Sequence, residues 1–230
     1  MSDLYIIATP IGNLEDISLR ALRILKEVDL ILCEDTRITK KLLNKYEITS
    51  KTISYHQHSK LNKLEYILGQ LKQGRNLALV SDAGTPGISD PGAKLISYLR
   101  EQMSDLKIIS IPGPSAVISA LSISGLSADK FIFFGFPPVK KKRKKFFQEV
   151  VNSKYTSVFY ESPHRILKSL EELFAIMDEE KRPIELLRKQ IVVCKELTKK
   201  FEKVYSGDIK EVIEQVKNDK VRGEFVVIVS

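Results

Sequence analysis

Short apolar runs alternate with amphipathic helical stretches along nearly the whole chain, and this alternation restricts the fold more than any other feature. Leu4–Ala8 is a continuous apolar run, the pattern of a strand buried on both faces. After the turn Thr9-Pro10-Ile11-Gly12-Asn13, apolar residues recur at Ala21, Leu22, Leu25 and Val28. That i, i+1, i+4, i+7 spacing predicts an amphipathic helix capped by Asp16 or Ser18. The pattern then repeats: strand Leu30–Cys33 and helix Thr36–Tyr46, strand Ile53–Tyr55 and helix Lys60–Lys72, strand Leu77–Ser81 and helix Ala93–Gln102, and strand Lys107–Ile111. Five strands separated by helices predict an α/β domain with a mostly parallel sheet.

Pro112-Gly113-Pro114-Ser115 breaks the series, because two prolines around a glycine cannot continue a strand. Residues 1–112 are therefore read as the N-terminal domain and 113–230 as the C-terminal one. Ser115 is placed to cap a helix over Ala116–Ser124. In the second half, strand Phe131–Phe134, helix Arg143–Val151, strand Ser157–Tyr160 and helix Pro163–Met177 follow in order. Strands Ile191–Cys194 and Glu202–Tyr205, helix Asp208–Val216 and strand Glu224–Val229 complete it. Two successive strands before a helix suggest a hairpin, so the second sheet is expected to be mixed.

Composition narrows the function. Lys+Arg 37 against Asp+Glu 29 gives +8 over 230 residues, with 43% hydrophobic residues, an ordinary globular balance with a lean toward polyanionic partners. Cys33 and Cys194 stand far apart without a C-x-x-C pair, which excludes a zinc ribbon or disulfide scaffold and fits a reducing compartment. No apolar run approaches the roughly 20 residues of a membrane span, and MSDLYIIATP lacks a basic segment of signal-peptide type. A cytoplasmic chain without membrane attachment is the expectation. No G-x-G-x-x-G follows the first strand and no G-x-x-x-x-G-K-[ST] occurs, which disfavours dinucleotide and P-loop sites.

In parallel sheets, ligands bind beyond the carboxyl ends of the strands, so the loops leaving strands carry the chemistry. The densest is Ser81-Asp82-Ala83-Gly84-Thr85-Pro86-Gly87-Ile88-Ser89-Asp90-Pro91-Gly92, with three glycines, two prolines and two aspartates. Its glycines permit close backbone approach, and its carboxylates can accept from ribose hydroxyls or an amine; an ordinary turn-rich loop is the plain alternative. Glu34-Asp35-Thr36-Arg37 also follows a strand and reads as a proton acceptor or as a capping turn. His56 and His58 form H-x-H, a spacing open to metal ligation, but no third ligand is evident and no metal is expected. Glu161, His164 and Arg165 gather where a strand meets a helix N-terminus, a place for anion binding or proton transfer, or simply a capped helix. Lys140, Lys141, Lys142, Arg143, Lys144 and Lys145 are consecutive cations, either a solvated basic loop or a phosphate contact.

Taken together, LYIIATPIGNLE (4–15), CEDTR (33–37), SYHQH (54–58), SDAGTPGISDPG (81–92), IPGPSA (111–116), FGFP (134–137), FYESPHR (159–165), ELTK (196–199) and RGEFVVIV (222–229) resemble one family, in the same order. It is the ribosomal RNA small subunit methyltransferase I family, within the tetrapyrrole methylase superfamily. One departure is that many members carry a segment beyond the last strand. The resemblance implies S-adenosylmethionine-dependent methylation of a cytidine ribose 2′-hydroxyl in 16S ribosomal RNA or the small subunit. It also implies a homodimer and a donor cleft between two α/β domains. Carried over, the donor site involves Pro10, Ile11, Asp82, Gly84, Thr85, Ser115 and Ala116, with Tyr160 and Leu197 on the C-terminal side. The proton acceptor is sought among Glu34, Asp35, His56, Glu161 and His164. Arg37, Arg165 and the run 140–145 are expected to hold RNA phosphates. Methylation of a tetrapyrrole or other small molecule, or a non-catalytic role in RNA binding and assembly, are the alternatives.

Overall fold

The computed structural model describes residues 2–56, 61–90, 92–178 and 189–230. The chain divides into two compact units, Met1–Ser115 and Ala116–Ser230. His58, Gln57 and Pro91 from the sequence motifs lie outside the described residues.

Unit 1 holds strands β1 (Asp3–Ile7), β2 (Leu30–Cys33), β3 (Thr52–Ser54), β4 (Leu77–Val80) and β5 (Lys107–Ile111). They form one sheet in the order β3-β2-β4-β1-β5, and every pairing is parallel. The helices between them are α1 (Leu19–Glu27), α2 (Thr36–Lys45), α3 (Leu61–Lys72) and α4 (Ala93–Gln102). Period-2 alternation explains the unbroken apolar strands. Ile7, Ile31, Cys33, Ala78 and Val80 meet α1 and α2 on one face, while Leu4, Ile6, Leu30, Leu32, Leu77 and Leu79 meet α3 and α4 on the other. Ser18, one of the two expected caps, accepts a hydrogen bond from Ala21 N, and Asp35 caps α2 through Arg37 N.

Unit 2 begins with α5 (Ala116–Ile123) and continues through β6 (Phe131–Phe133), α6 (Arg143–Asn152), β7 (Thr156–Glu161), α7 (Ile166–Met177), β8 (Ile191–Lys195), β9 (Lys203–Gly207), α8 (Ile209–Lys217) and β10 (Phe225–Val229). Its sheet runs β6-β7-β10-β8-β9. Only β6–β7 is parallel, and β8–β9 is the antiparallel hairpin, so the sheet is mixed as expected. Phe159, Val193, Phe225, Val227 and Val229 bury one face against α6, α7 and α8.

Two local readings are corrected. Pro163 does not open a helix; α7 starts at Ile166, three residues later. Arg165 N and Ile166 N both donate to Ser162 O, so residues 162–165 form a tight turn. Arg143 is not part of an exposed cation run. It is 6% exposed, and its guanidinium donates to Glu172 Oε2 (2.8 Å), Pro138 O (3.0 Å) and Ser169 Oγ (2.9 Å), while Ser169 Oγ donates onward to Glu161. A planar fork with several fixed donors suits such an interior junction.

Arg143→Ala should therefore destabilise the protein by about 3 kcal/mol, the lower end for a broken buried pair, because Glu172 can rehydrate. Lys141→Ala should change stability by less than about 0.5 kcal/mol. Equilibrium denaturation of both variants checks the contrast.

Candidate active site

In unit 1 the helices after β1 and β4 pack on opposite faces of the sheet, although the two strands are neighbours. Their carboxyl ends therefore flank a topological switch point, where the diverging connections leave a crevice. The backbone is stitched there. Thr9 N donates to Gly84 O at 2.9 Å and Gly84 N to Thr9 O at 3.0 Å, an isolated antiparallel bridge. The buried Thr9 hydroxyl donates to Ser81 O (3.0 Å), and Ser81 Oγ donates to Gly84 O (2.9 Å). Gly84 has φ +82°, a left-handed conformation that suits glycine, and an added Cβ would come within 3.6 Å of Ile11 Cγ2.

The rest of the loop folds back on itself. Asp90 Oδ1 accepts from Gly87 N. A Cβ at Gly92 would stand 2.9 Å from Gly87 N, closer than any backbone neighbour tolerates. Thr85 Oγ1 donates to Pro114 O at 3.3 Å, tying this loop to the turn after β5. Asp35 N donates to Asp82 Oδ1 at 3.0 Å, tying it to the end of β2. The ends of β1, β2, β4 and β5 are thus joined by named hydrogen bonds, with Pro10 buried and Ile11 half-buried beside Gly84.

The electrostatics at these ends are acidic. Burial raises the Glu34 carboxyl above its ordinary value; Asp82 raises it further and His56 offsets part of this. Asp90 is pushed up to about 6, first by burial and then by Glu34 and Asp82, while the hydrogen bond from Gly87 opposes the rise. Glu34, Asp82 and Asp90 thus sense one another as a crowded carboxylate group, with His56 facing Glu34. This environment favours a cationic ligand.

Asp35 is poorly suited to accept a proton. Arg37 Nη2 lies 2.6 Å from its Oδ2, and these hydrogen bonds hold its carboxyl down at about 2. The same pairing engages Arg37, whose side chain is otherwise exposed. Glu161 is likewise occupied. It is 1% exposed and accepts from Ser162 N, Ser169 Oγ and Arg165 Nη2. Arg165 also donates to Ser162 Oγ and Pro137 O, so its donors serve the β7–α7 turn. Glu161, Arg143 and Arg165 are thus all engaged in hydrogen bonds and ion pairs around the β7–α7 turn. His164 is exposed on that turn, and Lys140, Lys141, Lys142, Lys144 and Lys145 are exposed.

Tyr160, half-buried, packs against Phe133 and Phe136 at ring-centroid distances of 4.8 and 5.2 Å. Leu197 is buried. Beside it the chain is contorted: Glu196 and Thr198 have φ +51° and +65°, and Thr198 Oγ1 is buried without a hydrogen-bond partner. Thr198 lies in the ELTK motif (196–199), of which only Leu197 was given a role from the sequence. Sequence reasoning also missed Thr9 and gave Asp90 no separate role, although both sit in strand-end motifs already under suspicion. Ser115 and Ala116 fall where the two units meet along the chain. Among the described residues, no group of three or more His, Cys, Asp and Glu side chains is placed to hold a metal.

The fold and the strand-end loops define a two-unit α/β protein with its candidate site at the carboxyl ends of a parallel sheet. The sequence pattern of the Tetrapyrrole (Corrin/Porphyrin) Methylases matches residues 3–213. The chain is 43% identical over 228 residues to the Ribosomal RNA small subunit methyltransferase I of Halalkalibacterium halodurans, covering 98% of this chain and 75% of that protein. It is 40% identical to the protein of the same name from Thermotoga maritima, covering 100% of this chain and 99% of that one. Among solved structures, a cobalt precorrin-4 methyltransferase superposes with a TM-score of 0.67 at 17% identity, covering 99% of this chain and 94% of that one. Uroporphyrin-III-C-methyltransferase from Thermus thermophilus gives 0.64 at 16%, covering 98% and 93%. At such identities these two likenesses speak to the fold.

The chain belongs to the tetrapyrrole methylase family, in its ribosomal RNA small subunit methyltransferase I branch. Its activity is methyl transfer from S-adenosylmethionine. The residues present fit that donor: the Asp82 and Asp90 carboxylates at the strand ends of unit 1 suit a sulfonium and an amine.

Asp90 supplies a pH test. Its folded-state value, about 6, lies above the ordinary 3.8, so the folded protein binds the proton more tightly than the unfolded chain does. Stability should therefore fall as pH rises from about 4 to 6. Asp90→Asn should flatten that part of the profile, as read by thermal unfolding across the range.

Proposed function

We propose that the chain methylates the 2′-hydroxyl of a cytidine ribose in 16S ribosomal RNA, as a homodimer in the cytoplasm. The observation that carries this reading is the strand-end cluster of Glu34, His56, Asp82 and Asp90, held by the Thr9–Gly84 bridge in a chain whose full-length relatives are named for ribosomal RNA. The exposed lysines of the 140–145 run supply attraction for phosphate, with Arg37 beside the β2 end. Exposed Ile118 and Ile123 on α5 supply apolar surface for a second copy.

Pro10, Ile11, Asp82, Gly84 and Thr85 at the strand ends, with Ser115 and Ala116 after β5, hold the donor. When bound, the donor supplies a methyl group already activated on a sulfonium. The protein must align the attacking ribose oxygen, keep water out and take up one proton. Glu34 is the proton acceptor, with its carboxyl raised by burial and His56 alongside to stabilise the charge. His164, on the exposed turn after β7, serves RNA positioning.

Two measurements check this. Glu34→Gln and His56→Ala should lower methyl transfer to isolated small ribosomal subunits on the order of 10²-fold or more, with S-adenosylmethionine affinity nearly unchanged; undiminished transfer in both variants removes the assignment. Asp82→Asn should instead weaken donor binding in calorimetric titration. Methylation of a precorrin but not of subunits by the wild-type enzyme would redirect the substrate reading to a small molecule.

A further inference from the structure

Unit 2 carries a second feature, at the sheet edge opposite the one that bears Tyr160 and Leu197. The register places the start of β7 beside the ends of β10 and the start of β8, whereas Glu161, Phe225 and Lys195 share the other edge. At the first of these edges a cavity of about 390 Å³ is lined by Asp129, Lys130, Lys154, Tyr155, Lys189 and Ser230, among others. Three lysines line it, with Asp129 as the one acidic side chain and the backbone carboxyl of Ser230 beside them. Lys154 Nζ sits 4.9 Å and Lys130 Nζ 5.8 Å from the centroid of the same Tyr155 ring. Lys189 is braced differently, by donating to Ser153 O at 3.3 Å.

These lysines differ from ordinary surface lysines in being held. The ring's negative face attracts both flanking ammonium groups, and the Ser153 carbonyl fixes the third. Holding long side chains in advance removes part of the entropy that an incoming anion would otherwise have to overcome. Three point charges around a cavity match a ligand that offers several oxygens in different directions, as a phosphodiester does. The cavity falls in the size range of small-ligand clefts, room enough for a nucleotide unit. The charge also has a bearing on the substrate, because burial removes Arg143 from the basic run and leaves phosphate attraction to be shared with other surfaces.

We infer that the Lys130–Lys154–Lys189 cavity around Tyr155 is a second contact for the phosphate backbone of the RNA substrate, built from residues other than those of the strand-end site. This rests on the RNA reading above. The contact makes no demand on the methyl donor; it extends the footprint of unit 2 on the substrate and raises affinity in a salt-dependent way.

The test uses the full-length protein, a short fluorescein-labelled single-stranded RNA and anisotropy titrations over a range of salt. Lys130→Gln/Lys154→Gln should weaken binding and make the log–log salt slope shallower by roughly 0.7 per lysine. S-adenosylmethionine affinity, measured on the same samples, should stay at the wild-type value and so reports that the variant is folded. Lys189→Gln, which removes a half-buried group, is a second variant expected to act in the same direction. Wild-type affinity and slope in both variants overturn the contact while leaving the RNA reading intact. A wild-type protein that fails to bind the RNA overturns both. If poly-glutamate binds at this cavity, with the variants weakening it and leaving RNA affinity unaltered, the site belongs to an acidic protein and the inference fails.

Discussion

The bridge between Thr9 and Gly84 is the constraint around which unit 1 is organised. Two adjacent parallel strands send their following helices to opposite faces, so their connecting loops diverge and would leave backbone groups exposed in a crevice. Reciprocal hydrogen bonds close that gap at 2.9 and 3.0 Å. The Thr9 hydroxyl and Ser81 Oγ satisfy two further carbonyls. Once the loop from β4 is pinned there, Asp82 reaches the β2 end and Thr85 the turn after β5. Four strand ends are then linked through one loop. That arrangement suits an enzyme whose chemistry asks mainly for alignment, since an activated methyl needs placement more than it needs force.

The carboxylates follow from the same constraint. Pinning sets Glu34 and Asp90 near the Asp82 charge, so both carboxyls are raised against ionisation, by burial first and by their acidic neighbours second. The mutual repulsion costs stability at neutral pH, a strain that persists because the surrounding hydrogen bonds over-determine the loop. In unit 2 the charges behave in the opposite way. Glu161, Arg165 and the Arg143–Ser169 link pair off completely, fixing the β7–α7 turn and leaving little for substrate. Raised acids thus gather at the strand ends of unit 1, and satisfied ion pairs at the β7–α7 turn of unit 2.

Much of this was legible in the sequence. The apolar runs of β1, β2 and β4 could only be strands buried on two faces, and helix spans such as Ala93–Gln102 coincide with the observed α4. The Ser81–Gly92 loop announced itself through its glycines, prolines and aspartates. The cation run was misleading at one position: six adjacent basic residues look alike in sequence, yet Arg143, the first residue of α6, is turned inward while Lys141, in the turn before it, remains outside. Pro163 misled in the same way, because a proline after a strand looks like a helix start until the carboxylate two residues earlier is seen holding the turn.

The sequence by itself determined the alternation of elements, the parallel and mixed sheets and the family, because period-2 and period-3.6 patterns and ordered motifs are properties of the linear chain. The tertiary structure alone decided which charged residues have free valence. Asp35 and Glu34 are neighbours in sequence, yet one is neutralised by Arg37 and the other raised by burial beside Asp82. Lys130, Lys154 and Lys189 are scattered along the chain and converge only when the ends of three strands share an edge. Hydrogen bonding and desolvation depend on distances of a few ångströms between residues far apart in the chain, and only folding brings those residues together.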